Sequence, residues 1–528
     1  MQFSVGQRSY TGWVVPGLLL ALCGQKAFGA GFAIRGQSAS SIGTAGASDV
    51  AGTTDISAMF SNPAALGAFK GTNVSVGGAY VRPNAKFKEG NRTVPTIGVD
   101  ATAANMGATE SDDFSDNAFL PSVYASYQVN DALTAGASIT VPFGTNTDYG
   151  KDWVGRYHGT KTELEVVNFD LAASYAVMDN LKIGVGVQVQ SARGLIEGAS
   201  NLGAQEYSTA ARSAAGLVAN YFTAAGAYAQ SGNDPAFFPA VAAAQTQING
   251  SQLAQQFQAA VQGAIAGQPP ASVPGIVANT LTRAGAAYTV ANEGRDDVYA
   301  EYEGNDVALG FTAGILYSAT PEVDLGLSYR SQVVHKTEGD YTLSGDTSAA
   351  QARVNAIGAD HKAKLNLPVP DIIGLGAVYK GIPGTNIYAS ATLTRWSKLE
   401  DFNVDPDDLP NVVVRLNWED VWHVGLGADY RLNEYFILRA GLGNDNSPTT
   451  NEMRSPRSPD DNRRLYSLGM RYAAETWSFD AGVMHAHFRT PTLDLKEDAY
   501  PEAQGRGNLT GKYEVSAQTL MIQYNRVI

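Results

Sequence analysis

The chain has 528 residues, of which 44% are hydrophobic and only 17% charged, with 56 glycines and a formal net charge of −14. That content excludes a disordered chain, and so many glycines exclude a helical bundle. The acidic balance argues against a nucleic-acid partner, and no apolar run reaches the roughly 20 residues of a membrane-spanning helix.

The N-terminus reads as a secretory leader. Arg8 supplies a basic start, Trp13 to Leu22 an apolar run, and Ala27-Phe28-Gly29 small residues around a cut after Gly29. Cys23 follows Leu22, where a lipid-attachment signal needs a smaller neighbourhood. Removing 1–29 takes away Arg8 and Lys26 and no acid, so the charge moves from −14 to −16. The remaining chain has no cysteine, and an exported protein without disulfides needs rigidity from another source.

Residues 30–71 are small and Ser/Ala/Gly-rich, too apolar to dangle as a tail. A barrel lumen is the sheltered volume that would take them, so they are expected as a plug, or hatch. They end in 60-FSNPAALGAF-69. Asn-Pro marks a turn. Asn62, Pro63 and Ala64 are expected to latch the hatch to the wall, because the Asn62 amide both donates and accepts.

From Thr72 the sequence alternates with period two. Leu181, Ile183, Val185, Val187 and Val189 stand against Lys182, Gly184, Gly186 and Gln188, and Trp422 to Tyr430 repeat the pattern. Such strands carry one apolar and one small or polar face. Tyr317, Tyr329, Tyr379, Tyr430, Tyr472 and Trp477 fall at strand ends, as in an aromatic girdle. Short turns alternate with long polar loops. Fourteen strands result, near 72–82, 118–129, 132–143, 163–178, 181–192, 297–317, 323–338, 364–380, 385–400, 411–431, 434–444, 463–473, 476–489 and 512–525. The expected fold is all-β: a 14-stranded antiparallel transmembrane β-barrel, residues 72–528, closed so that no edge remains.

Within it, 191–300 is a long extracellular loop whose Ala/Gln-rich segments predict helices. Ser251 would cap one, and Leu253, Phe257, Val261 and Ile265 give it an apolar stripe. That insertion is either a solvated decoration or an apolar cap at the barrel mouth.

The ordered fragments 30-AGFAIRGQSASSIGTAGA-47, 61-SNPAAL-66, 153-WVGRY-157, 304-GNDVALGFTAGILY-317, 366-NLPVPDIIGLG-376 and 425-GLGADYRLNEYFILRAG-441 resemble the outer-membrane long-chain fatty acid transporters (FadL-like), a family that includes aromatic-hydrocarbon uptake proteins. The resemblance runs over nearly the whole chain after residue 29. It implies a Gram-negative outer-membrane location and passive uptake of a hydrophobic small molecule, long-chain fatty acids first and aromatic or alkane hydrocarbons as the alternative. It also implies an N-terminal hatch and sideways release at a kinked third strand into outer-membrane lipid. No enzyme activity, cofactor or metal is expected, and the chain is expected as a monomer.

In 132-ALTAGASITVPFGTN-146, Pro142 cannot donate to a ladder and Gly144 permits a bulge. Pro142, Phe143 and Gly144 are therefore the expected gate. The family's basic ligand contact falls on Arg193, suited to a carboxylate by its fork. Its second cationic position falls near uncharged Asn403, which favours a less polar substrate. Arg330, Arg439 and Arg471 alternate inward, with ion pairs to Asp324 or Asp429 the expected role. His485 and His487 share a strand face without an acidic partner nearby in sequence. A general porin or an adhesin is the competing class. A porin has no use for a 40-residue apolar plug, and an adhesin has none for a strand broken by Pro142.

Overall fold

The computed structural model describes residues 31–95, 101–102 and 106–528, with nothing to be said of the Ala204 side chain. The expected leader, residues 1–29, lies outside the described residues.

Fourteen wall strands follow in chain order: β1 (Thr72–Arg92), β2 (Ala118–Gln128), β3 (Leu133–Asp148), β4 (Lys161–Met178), β5 (Leu181–Ser200) and β6 (Val298–Thr320). β7 is Val323–Arg330 continued by Val333–Gly345, and β8 is Asp360–Val369 with Ile372–Ile382. β9 is Thr385–Thr394 with Asp401–Pro406, and β10 is Val412–Arg415 with Val421–Arg431. β11 (Phe436–Asp445), β12 (Arg463–Ala473), β13 (Trp477–Phe488 with Thr492–Leu495) and β14 (Leu509–Val527) complete the set. Each pairs antiparallel with the next, and β14 returns to β1 with Tyr524 opposite Val76, which closes the barrel. Several strands run past their sequence-derived ends, because wall pairing continues above the apolar belt; β1 extends to Arg92.

The period-two pattern becomes two surfaces. Val185, Val307, Leu309, Leu426 and Leu468 are exposed on the outer face, with Tyr127, Tyr175, Tyr317, Tyr379 and Tyr430 ringing the short-turn end. Such a belt faces lipid. No helix among the described residues is long and apolar enough to span a membrane.

The inner face explains the glycines. Residues 31–71 fill the lumen as one short helix, Ala39–Gly43, and two 3-10 turns, Ile56–Phe60 and Pro63–Ala68, capped by Ser38, Asp55 and Asn62. Their backbone lies directly on the wall. A Cβ at Gly184 would lie 2.2 Å from the Ala64 nitrogen, one at Gly441 2.2 Å from the Thr44 carbonyl carbon, and one at Gly326 2.5 Å from Val50 O. The wall is a close cast of the plug, and side chains there would expel it.

The insertion forms four helices, Leu202–Gln230, Phe238–Asn249, Gln252–Ile265 and Val273–Asn292. Ser251 caps the third through Ala254 N at 3.2 Å. The stripe residues Phe257 and Val261 are buried against Val218, Ile248 and Leu281 of the neighbouring helices. The stripe thus finds its partner inside the insertion itself. Buried Arg92 grips Glu293, with 3.0 Å from Nη2 to Oε2, and Arg156 pairs with Asp297 at 2.8 Å, fixing the base of the bundle to the barrel loops.

Candidate functional site

The site is built where the hatch meets β3. β2 pairs with β3 only from Gln128–Thr134 to Val123–Ile139. Beyond Ile139, β3 keeps β4, with a register irregularity between Thr140 and Phe143. The irregularity sits at Val141-Pro142, ahead of Gly144, because the proline ring removes the donor there. The hatch takes up the freed edge. Ile34 N donates to Pro142 O at 2.8 Å and Gly144 N donates to Phe32 O at 2.9 Å, with Ala33 facing Phe143. Gln37 Nε2 adds a bond to Val141 O at 3.1 Å. A short hatch strand thus stands where β2 stops.

Beside this contact lies a buried aromatic cluster. The Phe32 ring is 4.6 Å from Trp396 and 5.7 Å from Trp418, and the two indoles are 5.0 Å apart. Phe143 joins it at 6.1 Å from Phe32. Both indole N–H groups are buried without a hydrogen-bond partner.

Next to it is a cavity of about 90 Å³ between hatch and wall, bordered by Arg35, Asp49, Asp55, Phe60, Pro142, Phe143 and Arg330. Hydroxyls of Ser38, Ser40, Ser48, Ser57, Ser328 and Thr392 supply most of the remaining polar lining. Arg35 binds Asp445 at 3.1 Å, and Arg463 binds the same carboxylate through Nε at 3.0 Å. Two guanidiniums therefore share one carboxylate at the cavity wall. Arg330 donates to Phe60 O at 2.6 Å, stacks 4.1 Å over the Phe60 ring and lies 3.7 Å from Asp170. Asp49 keeps some surface open to the cavity but sits deep in the molecule, and burial pushes its carboxyl up to about 6.

The later part of the hatch is tied to the wall as well. Asn62, fully buried, donates from Nδ2 to Val50 O at 2.8 Å and to Ile315 O of β6 at 3.1 Å, and its Oδ1 accepts from Ala64 N. Ser174 of β4 donates to Ala64 O at 2.9 Å, and Pro63 packs against Gly314. Arg471 donates to Thr54 O and pairs with Asp55 at 3.0 Å.

Arg193 is not brought to this cavity. It ends the outward, odd-numbered face of β5, is exposed, and donates to Glu303 at 2.9 and 2.6 Å. The strand's own alternation carries the signal, since Arg193 shares the parity of Leu181 to Val189. Arg330, Arg439 and Arg471 do point inward, but their acids differ from those expected. Asp480 takes Arg439 at 2.6 Å and Arg471 at 2.8 Å, while Asp324 pairs with Lys380 and Asp429 accepts from Tyr388. Cross-strand register and the plug set these partners, and neither is visible in the spacing of one strand. Asn403 accepts from Asn411 and stands away from the cavity. Arg35 was missed by sequence reasoning, because the hatch has no periodic pattern that would show where its side chains point.

A family model described as outer membrane protein transport protein (OMPP1/FadL/TodX) matches residues 20–527. A long-chain fatty acid transport protein of Escherichia coli is 25% identical over 503 residues, covering 93% of this chain and 95% of that protein. A solved Pseudomonas aeruginosa FadL homologue shares the fold with a TM-score of 0.72 at 21% identity, covering 94% of this chain and 100% of that one. The Ralstonia pickettii toluene transporter TbuX aligns with a TM-score of 0.53 at 16% identity, covering 96% and 99%. With the closed barrel, the filled lumen and this match over almost its full length, the chain belongs to the OMPP1/FadL/TodX outer membrane transport family, an outer-membrane β-barrel among channels for hydrophobic compounds.

Proposed function

We propose that the protein is a passive channel for long-chain fatty acids, which it releases sideways into the outer membrane at the kinked third strand. The observation that carries this reading is the cavity bordered at once by the hatch and by Pro142 and Phe143, beside the stretch where β3 has lost β2. An acyl chain would leave water among Phe32, Trp396 and Trp418, at a gain of roughly 0.8 kcal/mol per buried methylene. Its carboxylate would then meet Arg35 and Arg330, in place of Arg193. A guanidinium fork matches a carboxylate with two parallel bonds. Pro142, Phe143 and Gly144 form the wall that parts, and Asn62, Pro63 and Ala64 hold the hatch while it does. No chemistry is done on the substrate, so the chain acts as a channel and not an enzyme. A single closed barrel suffices, and the chain works as a monomer surrounded by outer-membrane lipid.

One observation favours hydrocarbons as the second reading. The aromatic cluster offers ring faces and edges of the kind that pack an aromatic guest. Uptake of labelled oleate and of toluene by cells with and without the protein separates the two. Unchanged entry of both compounds would sink the proposal, and entry of toluene alone would replace it with the second reading.

A further inference from the structure

The two histidines of β13 do not face the lumen. His485 and His487 are exposed on the outer wall, on the parity of Val483. Cross-strand register sets them in rows with β12, β14 and β1. Leu468, Val483, Leu520 and Tyr80 stand opposite one another in one exposed row, at the upper edge of the apolar belt. One step toward the long loops the row reads Tyr466, His485, Gln518 and Arg82, and the next reads Arg464, His487, Ser516 and Asn84. Arg489 continues the parity of β13 above them and is exposed. Apolar side chains thus give way to guanidiniums and imidazoles within a few rows.

Height puts this change at the outer-leaflet interface. Arg82 follows Thr72, the start of β1, by ten residues. At a rise of about 3.3 Å per residue and a tilt near 40°, it stands roughly 25 Å above the short-turn end, the height of a barrel's apolar band.

These cations are not held by acids of the protein. Among the described residues Arg82, Arg464 and Arg489 have no ion pair. Nearby, Glu110 takes Lys88, Glu89 takes Lys512, and Glu514 stands higher, opposite Lys86. Cations on β4, β5 and β8 are matched instead: Lys161 with Glu163, Arg193 with Glu303, Lys362 with Asp340 and Lys364 with Glu338. In a chain of net charge −14, unpaired cations gathered on one side at headgroup height mark an anion-binding face.

We propose that the β12–β13–β14–β1 face binds a phosphorylated lipid headgroup of the outer leaflet, of the kind lipopolysaccharide presents. A groove crosses this face, bordered by Arg82, Tyr466, Leu468, Val483, His485 and Leu520. Its apolar lower part takes an acyl chain and its upper part the phosphate. A guanidinium fork bonds two phosphate oxygens at once, and each imidazole offers an N–H. Arg464 and Arg82 are three strand spacings apart, at about 4.8 Å each, so a headgroup with phosphates at two ends reaches both.

The test titrates the full-length protein, folded in non-ionic detergent, with lipid A and with enzymatically dephosphorylated lipid A. Bound lipid is counted by native mass spectrometry. The phosphorylated form should bind at least about ten-fold more tightly, because charge-assisted bonds to phosphate are the strong ones. Arg82→Gln with Arg464→Gln should remove most of that difference, while Lys362→Gln with Lys364→Gln on β8 should keep it. Heat-modifiable migration on gels confirms that each variant barrel is folded, and the comparison of the two lipids on wild type needs no variant. Millimolar inorganic phosphate should leave the lipid in place. Equal binding of the two lipids overturns the proposal, as does an undiminished difference in Arg82→Gln with Arg464→Gln. Displacement by inorganic phosphate overturns it too, in favour of a site for a free anion.

Discussion

Gly314 of the barrel wall stands where a Cβ would lie 1.9 Å from the side-chain oxygen of Asn62. That closeness lets one hatch amide reach the carbonyl of Ile315, 253 positions along the chain, at 3.1 Å. Gly314→Ala should therefore displace Asn62, and Asn62→Ala should leave buried acceptors unpaired at a cost of about 1–3 kcal/mol. Amide hydrogen exchange in residues 31–71 should accelerate about ten-fold in both variants while the wall strands keep their protection. Hatch exchange that matches wild type would reduce the Asn-Pro stretch to a connector.

The hatch strand at β3 can be locked. The chain after Gly29 has no cysteine, so a pair at Ala33 and Phe143, which face each other across an antiparallel bridge, would be the sole thiols. Facing Cβ positions at such a site fall near disulfide reach. Oxidised A33C/F143C should lose substrate uptake and regain it on reduction. Full uptake in the oxidised form would show that hatch and third strand need not part.

On the proposed reading, Arg35 and Arg330 would separate acids from hydrocarbons. Arg35→Gln should lower fatty acid uptake several-fold and leave toluene uptake within about two-fold. It frees Asp445 only partly, because Arg463 still holds that carboxylate. Arg330→Gln should act in the same direction, with an added loss of hatch stability, because the shorter, neutral side chain weakens or loses the bond to Phe60 O. Equal loss for both compounds in Arg35→Gln would point to a structural role.

Asp49 predicts a pH response. Its folded-state carboxyl titrates near 6, above the ordinary value of 3.8, so between about pH 4 and 6 the folded state binds the proton and the unfolded state does not. Its burial is unfavourable above pH 6, and that penalty is lifted as pH falls. Burial opposes ionisation of Asp55 too, but Arg471, Ser57 and Arg439 hold its carboxyl below the ordinary range, so it stays charged through this window. Hatch protection, corrected for intrinsic exchange, should rise from pH 7 to pH 5 in wild type and rise less in Asp49→Asn, where Asp460, also raised to about 6 and bonded to Gly31, still titrates. Identical profiles would remove Asp49 as the cause.

Much of this molecule was legible one strand at a time. Alternation from Leu181 to Val189 told the lipid face from the lumen face, and parity put Arg330, Arg439 and Arg471 inside; carried on past Val189 it also puts Arg193 outside, against the ligand role expected for it. Pro142 marked the break in β3, because loss of an N–H is a local property. The partners across the lumen were not legible. That Arg471 meets Asp55 and Asp480, or that Arg35 meets Asp445, depends on register around a closed ring and on how an aperiodic plug sits in it.

The sequence by itself determined the barrel, its fourteen strands, the filled lumen and the weak point in the third strand, since each follows from periodicity, turn chemistry or a missing donor within a few residues. Only the tertiary structure decided that the hatch repairs that weak point with Phe32–Ile34, that wall glycines are the mould of the hatch backbone, and that the loop at Asp460 folds inward onto Gly31. Those contacts join positions hundreds of residues apart, and they exist only once closure of the wall has brought every strand to the same lumen.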